Sequence, residues 1–267
     1  MVSQRVTAEF HDEPLLFSRL HPPPQQRRLL RRPRVAAALA SAFEYPLTLL
    51  NAPAGSGKTT ALATFVTQSG WPVAWCRARA EDTPALLLRH LVAAFRPTVT
   101  LDESQISTLL GRDDLAGALD QFANQLVLTL HDETLLVLDD YHFIDATPHC
   151  AALVEHLRAN QPGRLHLLCA GRVVPTLPEL MRMRGETYEL GQTDLAFDND
   201  EAAALFSLND LPIRLSLPSW SRGRVAGHWL CRWRSEENSG CRMQMQHSAA
   251  AAQRGAQPRQ RHSHGWR

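Results

Sequence analysis

The chain reads as an α/β fold: a parallel sheet of about five strands flanked by helices, followed by a C-terminal tail of different character. Three observations predict it. Short runs that are apolar throughout alternate with longer helix-like stretches, the pattern of strands buried on both faces. One such run ends in a glycine-containing loop that opens into a helix, LTLLNAPAGSGKTTALATF (residues 47–65). The charge balance also breaks near residue 211. Residues 1–211 hold 18 Arg+Lys and 25 Asp+Glu, a net of −7, whereas residues 212–267 hold 10 Arg and 2 Glu, a net of +8. Four of the six tryptophans fall in that last segment.

The wider composition narrows the class. A chain of 267 residues with 44% apolar content can bury a sizeable core, and the overall net charge of +1 argues for neither a nucleic-acid nor a membrane surface. Five cysteines (Cys76, Cys150, Cys169, Cys231, Cys241), odd in number and without CxxC spacing, exclude a disulfide framework. The opening MVSQRVTAEFHDEP has no apolar segment of a secretory signal, and no apolar run approaches the ~18 residues of a membrane span. A soluble, cytoplasmic protein with no membrane partner is expected.

Residues 1–33, with HPPPQQRRLLRRP, are expected to be an extended lead-in. RVAAALASAF suits a short helix after Pro33. LTLLN is a strand stopped by Pro and Gly, and KTTALATFVTQ a helix ended by Gly70. PVAWC is a second strand, PALLLRHLVAAF a helix with Pro in its first turn, and LAGALDQFANQLVLTL a further helix. TLLVLDD is a strand closed by two acids. CAALVEHLRAN is helical, RLHLLCAGR a fourth strand ending at Arg172, PELMRMRG a short helix, TYEL a fifth strand, and NDEAAALFSL a helix. Residues 34–211 therefore form the predicted domain, and 212–267 a basic tail expected to be disordered.

The chemistry concentrates where strands end. Lys58 is the single lysine, against 27 arginines. It sits in Ala52, Pro53, Ala54, Gly55, Ser56, Gly57, Lys58, Thr59 and Thr60, a stretch that fits a phosphate-binding loop with Ala in place of the usual first Gly. Gly55 and Gly57 let the backbone wrap around phosphate oxygens and turn its N–H groups inward. The helix that follows aims its positive N-terminus at the same anion. Lys58 is expected to reach the β- and γ-phosphates as a compact ammonium, a task for which the planar guanidinium of arginine has the wrong shape. Thr59 is expected to ligate Mg²⁺ through its hydroxyl. The fold so predicted is that of a P-loop NTPase, and its rival is a chance glycine-rich turn.

In LLVLDDY the strand delivers Asp139 to the C-terminal edge of the sheet, 81 residues after Lys58, where an acid can hold Mg²⁺. Asp140 beside it is the candidate catalytic residue, polarising the attacking water. Arg172, ending the next strand, is a candidate contact to the γ-phosphate; the rival reading is an exposed loop arginine. His142, His149, Cys150 and His156 lie close in sequence but fit no regular zinc spacing, and Cys231 and Cys241 are no better. A guanine-reading NKxD motif would need a second lysine, so ATP is the expected nucleotide.

At RPRVAAAL, LTLLNAPAGSGKTT, PVAW, LLVLDDYHFID and LPELMRMRGETYELGQTDLAFDNDEAAALF the sequence resembles the ATPase module of MalT-like, LuxR-family transcription regulators, which belong to the STAND class of signalling ATPases. The resemblance covers about residues 15–208. It implies an ATP/ADP switch with weak, regulatory hydrolysis, self-association in the ATP state, and a sheet in which the Arg172 strand lies between the phosphate-loop strand and the Asp139 strand. It also implies that DNA is bound only through a C-terminal helix-turn-helix, which residues 212–267 do not resemble. That tail, rich in scattered Trp, Arg, His and Gln, is read as out-of-frame sequence ending a truncated regulator; the alternative is a native arm that touches nucleic acid. Rival functions are a freestanding P-loop kinase or ATPase and an inactive gene product.

Overall fold

The structure, a computed structural model, describes residues 14–25, 29–173 and 179–208, and the backbone of residues 228–235 and 241–248. The remaining tail, and with it the expectation of disorder there, lies outside the described residues.

Pro33–Ala40 (α1) leads to Leu47–Asn51 (β1) and, across the phosphate-loop candidate, to Lys58–Ser69 (α2). Then follow Val73–Arg77 (β2), Pro84–Ala94 (α3), Glu103–Leu110 (α4), Leu115–Thr129 (α5) and Thr134–Asp139 (β3). His142–Asp145 (α6), Pro148–Ala159 (α7), Leu165–Gly171 (β4), Glu179–Met183 (α8), Thr187–Leu190 (β5) and Gln192–Leu195 (α9) complete the first of two units. All five strands are parallel, in the order β2-β3-β4-β1-β5. β4 thus lies between β1 and β3, as the resemblance implies.

The layers follow from strand alternation with both faces apolar. Leu136 and Leu138 of β3, with Cys169 of β4, face a core built with Leu87 and Leu91 of α3, Phe122 and Leu126 of α5, and Leu153 and Leu157 of α7. Leu135 and Val137, with Leu168 and Ala170, face the opposite core with Leu39 of α1 and Leu62 and Phe65 of α2. Burying apolar surface on both faces at roughly 25 cal/mol per Å² is what holds a short-stranded parallel sheet together.

Helix ends match local chemistry. Thr83 caps α3 through its hydroxyl and Asp114 caps α5 through its carboxylate, each accepting a first-turn amide. α4 is an element the sequence reading leaves unassigned; Asp102 caps it by accepting from the Ser104 amide, and Ile106 and Leu110 bury its inner face. Within the lead-in, Arg19 and Leu20 are buried. Arg19 pairs with Asp82 in the β2–α3 connection and its Nε donates to the Arg77 carbonyl at 2.8 Å.

The second unit, residues 196–267, contains Asn199–Leu208 (α10) and two strands, His228–Ser235 (β6) and Cys241–Ser248 (β7), paired antiparallel. No helix among the described residues is long and apolar enough to cross a membrane.

Candidate functional site

The C-terminal ends of β1, β3 and β4 converge on the loop between β1 and α2. Gly55 and Gly57 hold φ of +78° and +84°. A Cβ on Gly57 would meet nothing within 4 Å, so glycine is required there by the left-handed backbone and not by crowding. Gly57 caps α2 with no side-chain bond. The amides of Ala54, Gly55, Gly57, Lys58, Thr59 and Thr60 have no hydrogen-bond partner among the described residues. Only the Ser56 amide is engaged, donating to the Pro53 carbonyl at 3.3 Å, with the Ser56 hydroxyl on the same oxygen at 2.8 Å. A loop with successive unpartnered N–H groups at a helix start fits an anion such as a phosphate chain.

Lys58 is buried, and its Nζ donates to the carbonyls of Ala52 at 2.6 Å and Pro53 at 3.0 Å, so the ammonium lies folded along its own loop. Burial pulls its pKa below the ordinary value, and the charge of Arg172 adds to that; the carboxylates of Asp140 and Asp139 oppose it. The Ala52 amide donates to the Gly171 carbonyl at 3.3 Å, tying the loop's start to the end of β4.

Thr59 Oγ1 donates to both carboxylate oxygens of Asp139, at 3.0 and 3.1 Å. Eighty positions apart in sequence, they meet at one point. Asp139 is fully buried, and burial first, then the Asp140 charge, raises its pKa, against the bonds from Thr59 and the charge of Arg77. A hydroxyl beside a desolvated carboxylate is a hard-oxygen donor pair, and it fits Mg²⁺.

Beyond β3 the chain turns sharply. Asp140 has φ +55°, a left-handed conformation that aspartate tolerates better than most residues, and the Tyr141 amide donates to the Ala170 carbonyl at 2.8 Å. The Asp140 carboxylate accepts from Arg77 Nε at 2.8 Å. Arg172 lies one residue past β4, exposed, without a hydrogen bond or ion pair among the described residues. Its charge depresses both Lys58 and His142.

Two residues of this neighbourhood escape the sequence reading. Arg77 ends β2 in register with Asp139; the signal was an arginine directly after the apolar PVAWC. The ring nitrogens of His142 are buried without partners, its ring lies 4.2 Å from that of Phe143, and burial followed by the Arg172 charge lowers its pKa. In the sequence, His142 stands out only as a candidate zinc ligand without regular spacing.

No protein-family profile matches the chain. It is 31% identical over 211 residues to the HTH-type transcriptional regulator MalT of Yersinia enterocolitica, a match covering 76% of this chain and 22% of that one. The MalT of Serratia proteamaculans is 32% identical over 199 residues, covering 72% and 22%. Among solved structures, a Walker-type ATPase of Pyrococcus abyssi is similar with a TM-score of 0.48 at 17% identity, covering 73% of this chain and 63% of that one. The chain spans about a fifth of the length of the MalT relatives it matches. Over about three quarters of its own length, this chain is a homologue of the MalT transcriptional regulators.

Proposed function

We propose that residues 34–211 form an ATP-binding switch module of the MalT type, working in the cytoplasm as part of STAND-class transcription control, with slow hydrolysis and ATP-dependent self-association. The observation that carries this reading is the bond between Thr59 and Asp139, which joins the phosphate loop to the acid strand beside a row of unpartnered amides.

In this reading the amides of Ala54, Gly55, Gly57, Lys58, Thr59 and Thr60 hold the phosphate chain, and Lys58 leaves the Ala52 and Pro53 carbonyls to pair with it. Thr59 and Asp139 hold the divalent cation, with Asp139 then ionised. Asp140 accepts a proton from the attacking water, and Arg172 reads the terminal phosphate. When bound, ATP would supply the phosphoryl group whose loss distinguishes the two states of the switch, and Mg²⁺ would neutralise phosphate charge. Adenine nucleotides are the expected partners, and DNA would be contacted only through a helix-turn-helix domain of the kind named in the MalT relatives.

Titration with a fluorescent ATP analogue and Mg²⁺ tests the reading. Lys58→Ala should abolish binding while the far-ultraviolet circular dichroism stays unchanged, because the substitution removes a charge without opening the core. Tight, Mg²⁺-dependent binding by that variant would overturn it.

A further inference from the structure

Arg77 and Asp140 lie at the ends of neighbouring strands, and neither distance nor chemistry makes theirs an ordinary surface ion pair. Arg77 Nε donates to Asp140 Oδ2 at 2.8 Å and stands 3.9 Å from Asp139 Oδ2, so one guanidinium faces both acids. That bond is also what holds the Arg77 guanidinium most firmly in its charged form. Asp140 leaves the strand at φ +55°, and among the described residues its carboxylate has no hydrogen-bond partner other than Arg77.

The base of Arg77 is itself fixed. Its carbonyl accepts from Arg19, which is buried and paired with Asp82, and the next amide, of Ala78, donates to the Asp139 carbonyl at 2.9 Å. A half-exposed arginine on so braced a backbone can hold its partner in one orientation at little entropic cost.

We propose that Arg77 is a positioning residue for hydrolysis. With Oδ2 committed to Arg77, the Asp140 carboxylate keeps one rotamer and leaves Oδ1 as the acceptor for water. The inference deepens the reading of Asp140 as the water-polarising acid, and rests on it. An aspartate has a short side chain, so its orientation decides whether the free oxygen reaches the attacking water at all.

The test uses the full chain. Arg77→Ala should lower kcat about ten-fold with KM for ATP within about two-fold, a part of the 10²–10⁴ that a general base contributes. Arg77→Lys should recover most of that loss, since its ammonium can reach the same oxygen. In the nucleotide-free protein, the Arg77 Nε–H resonance, assigned by its disappearance in Arg77→Lys, should be protected from exchange with water, and Asp140→Ala, which removes the acceptor, should abolish that protection. This spectroscopic arm stands alone if turnover is too slow to measure. An Arg77→Ala variant with unchanged or raised kcat, or an Nε–H signal indifferent to Asp140→Ala, overturns the proposal. Should Asp140→Asn hydrolyse ATP like the wild type, the underlying reading of Asp140 falls as well; an inactive Asp140→Asn beside a fully active Arg77→Ala removes only the positioning role.

Discussion

Lys58 is the one side-chain amine of the molecule, and it lies buried against the Ala52 and Pro53 carbonyls. An acyl-phosphate derivative of ATP should therefore acylate one side chain only, seen by mass spectrometry in the peptide between Arg34 and Arg77, with excess ATP protecting it. Lys58→Arg should lose binding nearly as fully as Lys58→Ala, because a planar fork cannot follow the same path between two carbonyls. For Arg172, a charge-assisted contact to a terminal phosphate is worth about 1.5–3 kcal/mol. Arg172→Ala should then weaken ATP about ten-fold or more and leave ADP nearly unchanged in parallel titrations. Equal losses for both nucleotides would make it a structural residue. Asp139 carries a pH dependence. Its folded pKa is raised, so the folded chain holds this proton more tightly than the unfolded chain, and stability falls as pH climbs from the ordinary 3.8 through the raised value. Without Mg²⁺, Asp139→Asn should melt above the wild type at neutral pH, by roughly 2–4 °C per kcal/mol relieved. The gap should close below the ordinary value, and Mg²⁺-dependent binding should be lost throughout.

At the scale of elements, β1 to β4 were legible because each is a compact apolar run bounded by Pro, Gly or charge, and both faces of the sheet are covered there. The edge strand β5, TYEL, carries the exposed Glu189, and only its Leu190 is buried. β1 and β5 match the predicted residues, β3 differs by one residue at one end, and β2 and β4 by one residue at each end. α4 was not legible: eight residues rich in Ser and Thr have weak intrinsic helicity, and a cap with two buried aliphatics decides them. Nor was the docking of residues 17–20, since nothing local tells an arginine that it will be buried. The pair Arg19–Asp82 lies almost wholly out of solvent. Removing one partner from a buried pair costs about 3–5 kcal/mol. Arg19→Ala should show that loss in urea denaturation, and Arg19→Met combined with Asp82→Asn should lose less than the two single variants summed, because no charge is then stranded.

For the whole molecule, every candidate site residue lies between Ala52 and Arg172, inside the first of the two units. Deleting residues 212–267 should leave ATP and ADP affinities unchanged; abolished binding would mean that the tail belongs to the site. The sequence by itself determined the α/β class, the loop between β1 and α2 as the candidate phosphate loop, and the two acids at the end of β3. Each of these is written in short contiguous stretches whose residue types have local physical consequences: φ above zero for glycine, an apolar run for a buried strand, an acid where that run stops. Only the tertiary structure decided that Thr59 meets Asp139, that Arg77 rather than solvent holds Asp140, and that the ring nitrogens of His142 are buried without partners. These depend on the strand order β2-β3-β4-β1-β5. That order brings residues more than sixty positions apart to one sheet edge, and no local propensity encodes it.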